Sequence, residues 1–152
     1  MDLSQAIREA LENQVLEHEP GQAALIIRDA VAQEGAEAVA GGLVDAAAVA
    51  LRRMVAETDA AYDQAELLER LAFDGVVAAD SLDLLGGFLV LAAATAGGVR
   101  PSVDPIVAEV GAERALFGAW LAALTAIRIV AISLERTEAD VADDVVAALG
   151  DI

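Results

Sequence analysis

Four carboxylates carry the strongest chemical pattern in the chain. Glu66 and Glu69 stand three residues apart, and so do Asp80 and Asp83, giving E-x-x-E followed by D-x-x-D. On a helix, residues at this spacing share one face. Two such faces together offer the oxygen ligands that a hard divalent cation such as Mg²⁺ requires. A metal held there would activate water for attack on a phosphoanhydride. The same residues also have a plainer use. Asp80 and Asp83 fall where acids favour the start of a helix, and Asp63 with Glu66 makes a pair of the capping-box kind.

In spacing, this arrangement resembles the all-α nucleotide pyrophosphohydrolases of the MazG and dimeric dUTPase type, which place E-x-x-E and E-x-x-D on neighbouring helices around Mg²⁺. The resemblance implies Glu66, Glu69, Asp80 and Asp83 as metal ligands at a triphosphate. The chain departs from the pattern in three respects. Its second motif opens with Asp, only ten residues separate the motifs, and no lysine is present to hold phosphates. The likeness extends over fewer than 20 residues.

Other chemistry is narrowed by what the chain lacks. All nine basic residues are Arg, so there is no Schiff-base or phosphate-loop lysine. Without Cys there are no disulfides, thiolate metal sites or thiol nucleophiles, which suits a cytoplasmic setting. His18 is the single histidine, flanked by Glu17 and Glu19, and reads as a solvated residue near a helix end. No G-x-S-x-G elbow and no Glu-x-x-His motif accompanies it. Twenty-six acids against nine bases give a net charge of -17, which argues against nucleic acid and anionic membrane as partners. A basic protein partner fits that charge better. Coding bias or a high-salt milieu would produce the same composition.

Arg128 stands apart, because it lies between Ile127 and Ile129 in the most apolar part of the chain. A guanidinium there must snorkel, pair with a carboxylate, or meet an anionic ligand or subunit. Trp120, eight residues earlier, falls close to the same helical face. Leu116, Trp120, Leu124 and Ile127 form a stripe that would line a core, a ligand pocket or a dimer interface. Glu109 and Glu113, one turn apart, read as an exposed acidic face.

The elements that must position these residues are all helical by pattern. Leu3, Ile7, Leu11 and Val15 mark a first helix opened by Asp2. Pro20 starts a second that Gly35 ends, and a third runs from about Ala36 to Glu57. Asp63 to about Asp74 and Asp80 or Ser81 to about Val99 give two more. A short helix follows Ser102, and a long one spans about Gly111 to Arg136. Thr137 with Asp140 caps the last, whose stripe is Val141, Val145 and Leu149. No strand is expected.

Gln22 to Arg28 and Gln64 to Arg70 share a Q-A-x-L-(I/L)-x-R pattern. That pattern is displaced by 42 residues, while Gly41-Gly42 and Gly86-Gly87 downstream are displaced by 45, an insertion of three residues around Val76 to Ala79 reconciling the two. Duplication of a helical hairpin, residues 22–56 and 64–98, would explain both; so would convergent patterning of Ala-rich helices. Glycine inside a helix costs about 1 kcal/mol against Ala, so these pairs imply close packing, or else breaks in their helices. Leu84–Val99 and Ala115–Leu134 are apolar enough to test for membrane spans. The first is short for a bilayer, the second holds Arg128, and neither has an aromatic belt. Both are expected to be buried core helices.

The expectation is therefore an all-α single domain over residues 1–152, a bundle of seven or eight helices, and a homodimer by default. Three functions stay open: a non-catalytic interaction module of adaptor, regulator or toxin-neutralising type, a carboxylate–Mg²⁺ hydrolase, and a small-molecule binder with Arg128 as anion anchor.

Overall fold

A computed structural model describes residues 2–58 and 103–150, with side chains at 2–52 and 103–149. Among the described residues all regular structure is helical, so the chain is all-α. Helix α1 (Leu3–Leu11) runs into a π-helical turn (Glu12–Leu16), followed by α2 (Pro20–Glu34) and α3 (Ala36–Thr58). After the segment 59–102 come α4 (Asp104–Val110), α5 (Ala112–Ser133) and α6 (Glu138–Gly150).

The helix ends are set by identifiable residues. Asp2 Oδ1 accepts the Gln5 N–H at 2.7 Å, satisfying an amide that has no partner within α1. Thr137 Oγ1 does the same for the Asp140 N–H at 3.1 Å and opens α6. Gly35 and Gly111 each close one helix and open the next without a loop. Gly35 N–H donates to Val31 O at 2.8 Å while Gly35 O accepts from Val39 N–H at 3.2 Å. Gly111 repeats this with Val107 and Ala115. Their backbone angles, φ 91°, ψ 153° and φ 90°, ψ 159°, belong to a region essentially open to glycine alone.

Helix α5 ends at Ser133, three residues before the expected Arg136. Glu135 turns left-handed (φ 54°), and the Arg136 and Glu135 N–H groups fold back onto Ala131 O (2.9 Å) and Ile132 O (3.3 Å). That pattern is a Schellman cap, and it satisfies carbonyls that the helix itself cannot. His18 plays a similar part after the π turn. It is exposed and left-handed (φ 55°), and the next N–H, of Glu19, reaches Asn13 O at 2.7 Å.

The centre of the molecule is the α3–α5 pair, whose contact is the most extensive among the described helices. Both helices give small residues to the core: Ala40, Ala47 and Ala50 from α3, Ala115, Ala119, Ala122 and Ala126 from α5, all fully buried. Leu43, Leu51 and Ile127 supply the larger volume. Burying a side chain of this size contributes roughly 1.5–3 kcal/mol. Helix α6 packs its Val141, Val145 and Leu149 stripe against α1, the π turn, α3 and α5. Ser4 Oγ donates to Leu149 O at 3.1 Å, tying the start of α1 to the last turn of α6.

Gly41-Gly42 lies inside an unbroken α3. A Cβ on Gly42 would overlap Cδ1 of Ile7, which is itself buried, whereas one on Gly41 would meet Val103 Cγ1 at an ordinary 3.8 Å. The close approach is thus made by a side chain from α1 and occurs at one glycine of the pair. Gly86-Gly87 and the second unit of the internal similarity lie outside the described residues. Of the two apolar stretches, α5 has the length and apolarity of a membrane span, and 67% of its most apolar window is buried within the protein. Leu84–Val99 lies outside the described residues.

Candidate functional site

Helix α2 is unusual in how little it buries. It carries Leu25, Ile26 and Ile27 in sequence, yet only Ala23 and Ala30 are fully enclosed, and Leu25 is 43% exposed. It packs on α1, the π turn and α3, without a comparable contact to α5. The space left between α2 and the first half of α5 is an apolar groove of about 390 Å³.

Each wall of this groove is one helix face. From α5 come Glu113, Leu116, Phe117 and Trp120, spaced so that they line the same side over two turns. From α2 come Pro20, Ala24, Ile27 and Arg28, again at helical spacing, with Gln14 of the π turn beside them. Ala24 keeps the α2 wall low. Leu116, Phe117, Trp120 and Ile27 are all half-buried, packing against the core while presenting apolar surface to the groove. The polar groups sit at the margin. Glu113 is exposed, and the Arg28 guanidinium approaches its neighbour Asp29 at 3.7 Å with both side chains well solvated.

The four residues singled out on the long helix are therefore separated. Leu116 and Trp120 line the groove, together with Phe117. Leu124 is half-buried against the core and is not part of the lining. Arg128 is further along α5, where its Nε donates to Glu138 Oε1 at 2.9 Å; the two side chains are 41% and 48% exposed. That bond ties α5 to the first residue of α6, and the guanidinium does not line the groove. The α2 wall lies within the repeated Gln22–Arg28 pattern, which pointed to duplication and not to a site; the signal for a groove was the apolar triplet Leu25–Ile27, too long for one buried face.

Glu66, Glu69, Asp80 and Asp83 lie outside the described residues, and the Mg²⁺ reading that rests on them acquires no geometry. Among the described residues no group of three or more His, Asp or Glu is placed to hold a metal ion. Two acids do meet. Glu37 in the first turn of α3 shares a hydrogen bond with Asp104 at the start of α4, which raises the Glu37 carboxyl above the usual range; desolvation and the Asp104 charge act in the same direction. A smaller cavity of about 140 Å³ lies between α1 and α2, bordered by Asp2, Asp29 and Glu34 over an apolar floor.

No protein-family model matches this chain, and comparison with curated proteins and with solved structures gives no match either.

Proposed function

We propose that the protein is a non-catalytic interaction module that receives apolar side chains of a basic protein partner in the groove between α2 and α5. The observation behind this reading is a helix pair held apart, with Trp120, Phe117, Leu116 and Ile27 half-exposed along the gap. Aromatic and apolar side chains in a concave strip are what interaction hot spots are made of. The net charge of -17 favours a cationic partner and speeds its approach. We take the molecule to be one bundle of seven or eight helices acting in the cytoplasm. A photo-crosslinking residue at Ala24 in the groove should capture a protein of discrete mass from source lysate. The same residue at the exposed Ala147 on α6 should not. No adduct at Ala24, or equal adducts at both positions, would overturn the proposal. A second copy of the chain is the alternative partner, recognised by adducts at twice the protomer mass.

A small-molecule binder is the second reading, favoured by the groove's volume, which falls in the ~300–1,000 Å³ range of ligand pockets. Under this reading, denaturing extraction of purified protein releases a compound, and its removal shifts the emission of Trp120, the sole tryptophan of the chain. Extraction that releases nothing and leaves the emission unchanged counts against it.

A further inference from the structure

We infer that the segment received by the α2–α5 groove is a cationic amphipathic helix of about two turns, an inference that rests on the interaction-module reading and makes it specific. Both walls carry their lining residues over two turns: residues 113, 116, 117 and 120 on α5, and 20, 24, 27 and 28 on α2. Two turns of helix span about 10.5 Å, the length over which a helix presents anchors at i, i+3, i+4 and i+7. Two helices splayed around an apolar gap offer what a third helix buries when it packs. The low side chain of Ala24 leaves room for its ridge.

Charge selects among amphipathic helices. Glu113 lines the groove and is exposed. The other charged lining residue, Arg28, has the Asp29 carboxylate beside it. Beyond the lining, Glu19 immediately precedes Pro20 and Glu17 lies three residues before it, both exposed. The surroundings of the apolar floor are thus net acidic, and an incoming helix with Lys or Arg flanking its apolar stripe is complementary to them. An acidic helix would meet like charge there on a molecule of net charge -17.

The test uses three synthetic peptides on the full chain, read by Trp120 emission. One carries Leu at i, i+3, i+4 and i+7 with Lys elsewhere, one has the same composition in scrambled order, and one has Glu replacing Lys. The ordered Leu–Lys peptide should give a saturable blue shift and bind about tenfold or more tighter than either control. Glu113→Lys should weaken that peptide about three- to tenfold while improving the Leu–Glu peptide, with the far-ultraviolet spectrum of the protein unchanged. Equal binding of ordered and scrambled peptides would reduce the effect to bulk charge and overturn the inference. So would indifference to Glu113→Lys. If Ala24 crosslinks a partner while no helical peptide shifts Trp120, the interaction reading stands and the helix inference falls. If both fail, both readings fall.

Discussion

Gly41 and Gly42 are neighbours in α3, yet a methyl group added to each meets different surroundings. At Gly41 it makes ordinary contact with Val103, so Gly41→Ala should gain about 0.5–1 kcal/mol of helix propensity and raise the melting temperature. At Gly42 it strikes Ile7 inside the core, and overpacking of about 1–3 kcal/mol cancels or exceeds that gain. Gly42→Ala is therefore expected to be no more stable than the parent, and Ile7→Val should cost less in that background than alone. Equal stabilisation by the two glycine replacements would contradict the packing described. Glu37 gives a second residue-level prediction. Its folded-state pKa is raised by the bond to Asp104, so the stabilisation it gives is fully present below the ordinary carboxylate range and is lost as pH rises through the raised value. Glu37→Gln keeps a donor toward Asp104 at every pH. Its melting temperature relative to the parent should climb as pH rises above the ordinary carboxylate range, and a constant difference would remove the pair as the cause. Neither the Ile7–Gly42 contact nor the Glu37–Asp104 bond could be read from the sequence, because each joins elements that only the packing brings together. The cost of the glycine pair pointed to close packing or to a helix break, and the structure shows an unbroken helix with a close approach at Gly42.

At the scale of elements, single residues replace loops. Gly35 and Gly111 join α2 to α3 and α4 to α5, both with positive φ, and an added Cβ would meet nothing within 4 Å at either. Gly35→Ala and Gly111→Ala should each cost about 1–3 kcal/mol through backbone strain alone, measurable by denaturant unfolding. Glu135 holds a left-handed cap without being glycine, so Glu135→Gly should instead gain about 1 kcal/mol. A neutral outcome at both glycines would mean that the junctions relax. The start of α1, the Pro20 and Gly35 punctuation and the Thr137 cap were legible because they are local. The π turn was not, since Asn13 Nδ2 bonding to Glu9 O is one of several local choices open to an asparagine. The groove was half legible. The stripe on α5 marked Leu116 and Trp120, but period alone could not say where α2 would stop covering it. Nor could it show that Arg128 turns to Glu138 instead of to the same space.

Over the whole molecule, a net charge of -17 sets a self-repulsion that folding must overcome. Added sodium chloride should raise the melting temperature as the screening length falls from about 30 Å at ~0.01 M to about 10 Å at ~0.1 M, then level off. A flat or falling curve would show that the anionic groups are locally compensated. Specific contacts then fall to the apolar residues. Among the described residues many of these are buried in the α3–α5 core, while Leu25 on α2 and Ile132 near the end of α5 stay exposed and the groove walls are half-buried. Hydrogen–deuterium exchange on the complex captured through Ala24 tests that placement most directly. Slowed exchange confined to residues 20–28 and 113–120, with α6 unchanged, is the predicted result. Protection centred on α6, or none on either groove wall, would contradict it.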